Sequence, residues 1–205
     1  LAFRGLNTIT DSIYAELPME FVLVDFTDGV PASDIKASSY NSENHKPEFA
    51  FDNDVNDKNR WSSENIPDEE HWIRIKLARP EIVTQLVLTS RDAANTRSQD
   101  PKDIILEGTN DDPDDESSWE KVFSTSGLEW SKEKEAKILY VPIDHGYLRY
   151  RNNKAYQYYR IKIVDTHGSP IASLGQIELK GELTKPVGNG DVSASSHTSE
   201  EGHKP

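Results

Sequence analysis

The chain has 205 residues, no cysteine, and a formal net charge of -13 from 23 basic and 36 acidic residues. That length holds one ordinary domain with extensions, or two small ones. The acidic balance disfavours nucleic acid and anionic lipid, and the lack of cysteine excludes disulfides, thiolate zinc sites and cysteine nucleophiles. Mean hydropathy is low at -0.73, yet 4 Trp, 8 Tyr and 6 Phe supply enough buried area for a core. No apolar run approaches the roughly 20 residues of a bilayer span, so membrane insertion is not expected.

Residues 1–33 read as a linker or as the C-terminal end of a preceding domain, with strand character in LPMEFVLVDF at 17–26. The start at Leu1 points to a processed or excised piece of a larger protein. From 34 to 183 apolar residues alternate in short runs. In HWIRIKL, residues 71–77, Ile73, Ile75 and Leu77 share one face, with Arg74 and Lys76 on the other. The stretches 82–90, 103–109, 119–123, 137–142, 158–164 and 176–181 repeat this period of two. Arg79-Pro80, Asp100-Pro101, Asp112-Pro113 and His167-Gly168-Ser169-Pro170 punctuate them as turns. Many short strands without an amphipathic helix predict an all-β antiparallel sandwich or jelly roll.

The chain ends on a partial repeat. IKASSYNSENHKP at 35–47 returns as VSASSHTSEEGHKP at 192–205, with Ala37/Ala194, Ser38/Ser195, Ser39/Ser196, His45/His203 and Pro47/Pro205 among the identities. A period near 157 residues suits whole domains in a row. Residues 184–205 therefore read as a linker and the start of a second copy, and the parent as a tandem array of neighbouring modules.

Enzyme signatures are missing. No Gly-x-Ser-x-Gly elbow, phosphate-cradling glycine loop or His-Glu-x-x-His helix is present. Acidic clusters such as Asp111-Asp112-Pro113-Asp114-Asp115-Glu116 have the look of solvated turns. No catalysis is expected of this domain, whatever a separate domain of its parent does.

In order, ASS, AFD, RW, HWIRIKL, TSRD, RSQDPKDIILEGTND, SSWEKV, AYQYYRIKIVDTHGSP and LGQIEL resemble the coagulation-factor type C, or discoidin, domain over nearly all of 34–183. More narrowly, they are similar to microbial carbohydrate-binding modules of the galactose-binding-like fold. The resemblance implies an eight-stranded jelly roll with ligand loops at one end and a secreted or cell-surface setting. It also implies a glycan partner of galactose type. The loops offer Tyr40, His45, Glu64, Arg91, Asp92, Asn95 and Arg97 as ligand-binding residues, with Asn44, Asn65 and His167 nearby. Arg91 and His45 resemble the pair that galactose-type modules aim at sugar hydroxyls. His45 also suits a turn-packing role, and Tyr147, Tyr150 and Arg151 form a further aromatic-basic patch.

A structural calcium is the implied cofactor. The oxygen-rich stretch Ala50–Asn59 suits a hard cation. By similarity its ligands are the backbone oxygens of Phe49 and Asp54, the Asp52 carboxylate, Asn59 and the closing strand at Gly175-Gln176. The sequence departs from the family at Asn59, where a hydroxyl residue is usual, at Gln176, where a glutamate is usual, and in loop length. The other reading of this loop is an acidic turn held by Asx hydrogen bonds without metal. The function expected is a non-catalytic carbohydrate-binding module. The alternative is a structural or adhesive repeat that contacts protein or acts as a spacer.

Overall fold

The computed structural model describes residues 19–54, 59–66, 70–91, 94–142 and 154–186. The alternation seen in the sequence becomes eleven strands among them: β1 (Met19–Asp25), β2 (Ile35–Ala37), β3 (Trp61–Ser62), β4 (His71–Glu81), β5 (Gln85–Thr89), β6 (Pro101–Thr109), β7 (Glu120–Thr125), β8 (Ala136–Tyr140), β9 (Tyr156–Thr166), β10 (Ser173–Leu174) and β11 (Gln176–Pro186). They form a five-stranded sheet, β2-β4-β9-β6-β7, a four-stranded sheet, β1-β11-β5-β8, and a two-stranded ladder, β10-β3. The pairings β2–β4, β4–β9, β9–β6, β6–β7, β11–β5, β5–β8 and β10–β3 are all antiparallel. The architecture is the expected antiparallel jelly-roll sandwich.

Its core is the set of inward faces. Ile73, Ile75 and Leu77 of β4 meet Ile161 and Ile163 of β9 and Ile104 and Leu106 of β6. Leu86, Leu88, Ile177 and Leu179 come from the other sheet, and all are at most 5% exposed. Burying such side chains supplies about 1.5–3 kcal/mol each before the entropy of ordering is subtracted. Tyr159 joins this core (1% exposed) with its hydroxyl engaged. It donates to Glu81 O at 2.7 Å and accepts from Val83 N at 3.3 Å, clamping the β4–β5 turn.

Arg79-Pro80 does not end its strand as expected. β4 continues to Glu81, with an irregularity in its β9 pairing between Lys76 and Glu81. Proline is tolerated there because both Arg79 and Pro80 are exposed and no ladder bond is lost.

The compact unit runs from Leu23 to Leu183, beginning before the sequence-based start at 34. Phe26 N donates to Leu179 O at 2.8 Å, and its ring lies against Gly181, where any side chain would strike it and Ile82 O. A second unit, Leu1–Val22 with Thr184–Pro205, lies mostly outside the described residues, as does the repeat at 192–205.

Candidate functional site

The register sets one end of the sandwich. His71 faces Ile163 and Pro101 faces Thr166, so the described loop residues 38–54, 59–60, 63–66, 94–100, 126–135 and 166–172 belong to that end. Their floor is the β3–β10 ladder, where Ser62 pairs with Ser173 and Trp61 with Leu174.

A buried polar chain crosses this floor. Arg60 Nε donates to Ser62 Oγ at 3.2 Å, and Ser62 and Ser173 share a short hydroxyl contact. Ser173 Oγ donates to Gln99 Oε1 at 3.1 Å, and Arg91 donates to the same oxygen. Arg60 and Arg91 are each only 7% exposed, and Ser62 and Ser173 at most 1%. Arg91, expected among the loop residues aimed at sugar hydroxyls, is therefore buried rather than presented to solvent. It follows β5 directly, and the Ala94–Gln99 turn folds back so that Gln99 meets its guanidinium. Sequence reasoning missed Arg60, Ser62, Gln99 and Ser173, because nothing local marks partners separated by 74 and 111 positions.

Above the floor stands an exposed rim. Trp61 Nε1 donates to Ser39 O at 2.9 Å, Glu64 N to Ser39 Oγ at 3.1 Å, and Asn41 N to Ser62 O at 3.0 Å. These bonds hold the 39–42 turn beside residues 61–64, and Tyr40 and Glu64 are exposed on these two neighbouring segments. Tyr40 presents 41% of its surface and Ile66 39%. His45 belongs to the same loop. Its Nδ1 lies 2.5 Å from Asn41 Oδ1 and 2.8 Å from Ser42 Oγ, which gives it the turn-packing role. Asn44 and Asn65 are exposed.

The remaining expected residues divide. Arg97 donates to Trp130 O at 3.0 Å and His167 Nε2 lies 2.8 Å from Leu128 O, so both brace the 126–135 loop. Asn95 lies in the Ala94–Gln99 turn. Asp92 and the patch of Tyr147, Tyr150 and Arg151 lie outside the described residues. A concavity of about 410 Å³ at this end is lined by Glu70, His71, Lys162, Asp165, Thr166 and Ser169, and not by Arg91 or His45.

Asp100, which follows the Ala94–Gln99 turn, is 1% exposed. Burial pushes its carboxyl up to about 6, against the opposing pull of Arg91, His167 and Arg97.

In the expected calcium loop the described carboxylates accept from neighbouring loop residues. Asp52 Oδ1 accepts from Asp54 N at 2.9 Å, an Asx turn, and Asp54 Oδ2 accepts from Asn59 Nδ2 at 3.0 Å. Burial raises the Asp52 pKa. Gln176, 4% exposed, accepts from Asn53 N at 3.1 Å and donates through Nε2 to Asn53 Oδ1 at 3.2 Å. Among the described residues no three His, Asp or Glu side chains converge as a metal group. Gln176 turns an N–H into the space where the expected shell needs a carboxylate, and Asn59 turns its amide nitrogen to Asp54. Among the described residues this donor set does not fit a calcium shell; residues 55–58 lie outside them.

The F5/8 type C domain model matches residues 34–165. No curated protein matches the chain at a significant level. Among solved structures, the chain is similar to the family 32 carbohydrate-binding module of Clostridium perfringens NanJ in complex with galactose, with TM-score 0.55 and 12% identity over 78% of this chain and 100% of that one. It is also similar to CpGH89CBM32-5 of Clostridium perfringens in complex with GalNAc-β-1,3-galactose, with TM-score 0.54 and 14% identity over 73% and 97% of the two chains. A third is chitosan-binding module 1 from a chitosanase/glucanase of Paenibacillus sp. IK-5, with TM-score 0.51 and 18% identity over 72% and 93%. With the family model covering more than half its length and the sandwich matching in architecture, the chain belongs to the F5/8 type C, or discoidin, domain family.

Proposed function

We propose that this domain binds glycans at the loop end of the sandwich, as a non-catalytic module of a secreted or surface protein. The observation that carries the reading is the rim. Tyr40 is exposed on the turn that Ser39 and Asn41 fix to residues 61–64, a segment on which Glu64 is also exposed. Sugar recognition asks for these two groups, since a ring covers the C–H face of a pyranose while a carboxylate accepts from its hydroxyls. Galactose-type sugars are the first class to try, because the NanJ module and CpGH89CBM32-5 were each solved with such a sugar. Arg91 supports the site from below rather than by presenting itself to solvent. A shallow rim of this kind gives about -4 to -6 kcal/mol per site, a millimolar to high-micromolar Kd. The repeat at the chain ends supports a tandem array, in which linked modules gain avidity on clustered glycans.

The test is calorimetric or NMR titration with galactose, N-acetylgalactosamine and chitosan oligomers, on wild type and Tyr40→Ala. Binding reduced at least about tenfold in Tyr40→Ala, with the melting curve unchanged, supports the rim. Binding kept in Tyr40→Ala but lost in Asp165→Ala moves the site to the concavity beside Lys162. Absence of binding to every sugar refutes the reading in favour of an adhesive or spacer repeat.

A further inference from the structure

We propose that the Gln176–Asn53 amide pair takes the structural place of a divalent cation in this domain, so that Asn53 is anchored to β11 without metal.

Gln176 opens β11, paired with Thr89 of β5, and so belongs to the rigid sheet. Asn53 belongs to the loop, 123 positions away in sequence. The Gln176 side chain makes two complementary bonds to Asn53, accepting from its backbone N at 3.1 Å and donating to its Oδ1 at 3.2 Å. Asn53 carries the connection further, donating through Nδ2 to Asp28 Oδ1 at 3.0 Å. One asparagine therefore ties together the start of β11, the loop, and the turn after β1. Its backbone has φ of 62°, a left-handed conformation that asparagine tolerates better than most side chains. That conformation presents both N–H and Oδ1 of Asn53 to the one amide facing it.

Charge decides why residue 176 is an amide here. The position is 4% exposed and lies close to a loop bearing Asp52 and Asp54. A carboxylate at 176 still accepts from Asn53 N but has no proton for Asn53 Oδ1. It also adds a buried negative charge, which needs a cation to be tolerated. Glutamine carries its own donor and no charge. Residue 176 is thus the choice between a cation-anchored and an amide-anchored Asn53, and this chain has the amide-anchored form.

The experiment uses the whole chain and follows thermal unfolding in excess calcium chloride and in chelator. Wild type is expected to melt within about 1 °C of the same temperature in both. Gln176→Glu is expected to melt lower than wild type in chelator. At a hundredfold excess of calcium over its Kd, that variant recovers by roughly 5–10 °C. Asn53→Ala is expected to lower the melting temperature equally in calcium and in chelator, and it remains informative should Gln176→Glu fail to fold. A chelator-induced drop in wild type, or calorimetric calcium binding by wild type that Gln176→Glu does not strengthen, overturns the proposal.

Discussion

Replacing Asp100 by asparagine tests whether a buried carboxylate at the loop end of the sandwich opposes folding at neutral pH. Asp100 is 1% exposed, and its carboxyl is pushed from 3.8 to about 6 by burial, despite Arg91, Arg97 and His167 around it. A raised folded-state pKa means the folded protein holds the proton more tightly than the unfolded chain. That advantage is complete below the unfolded value of 3.8 and lost as pH rises through about 6. A shift of about two units, at about 1.4 kcal/mol each, places the full cost near 3 kcal/mol around pH 7. Close to pH 4.5 only about 1 kcal/mol of it is expressed, because the folded carboxyl is then mostly protonated. Asparagine has the same shape and does not titrate, so any fixed packing effect cancels in the comparison. Urea denaturation of wild type and Asp100→Asn at these two pH values should show the variant gaining about 2 kcal/mol on wild type at the higher pH. A difference that stays constant with pH refutes the reasoning, since Asp100 would then ionise alike in the folded and unfolded states.

Arg160→Leu should cost about 3–5 kcal/mol in urea denaturation, because it strands Glu107, whose side chain is 14% exposed and lies 2.6 Å from the guanidinium. Glu116→Gln, at the other side of the same arginine but 68% exposed, should cost under about 1 kcal/mol, and equal losses in the two variants refute the distinction. Gly108→Ala should cost about 1–3 kcal/mol, because the added Cβ falls 2.5 Å from Cγ and Cδ2 of Tyr156 in the core. A melting curve identical to wild type means that the ring moves aside freely.

The strands were legible because a half-buried sheet leaves a period of two, and Ile73, Ile75 and Leu77 are buried as the pattern requires. The β4 extension past Pro80 was not, since a proline at an exposed position signals a turn and tolerates a strand alike. At the loop end, Tyr40 and Glu64 were legible as loop residues. The burial of Arg91 was hidden, because it depends on Gln99 and Ser173 arriving from other loops. The acidic loop was half legible. The Asp52–Asp54 Asx turn follows from local spacing, whereas the Gln176–Asn53 pair joins residues with no local relation.

The chain from Arg60 through Ser62, Ser173 and Gln99 to Arg91 joins three loops beneath one surface. Its members cannot diverge independently. A new residue at 99 removes an acceptor from both Arg91 and Ser173, and one at 173 removes a partner from both Ser62 and Gln99, each lost bond in the buried chain costing about 0.5–1.5 kcal/mol. Rim positions such as Tyr40 and Glu64 are held mainly through backbone and Ser39, and they are free of that coupling. If the rim binds glycans as proposed, its specificity can drift one substitution at a time, while grafting a whole loop from a relative requires exchanging its partners in the floor as a set.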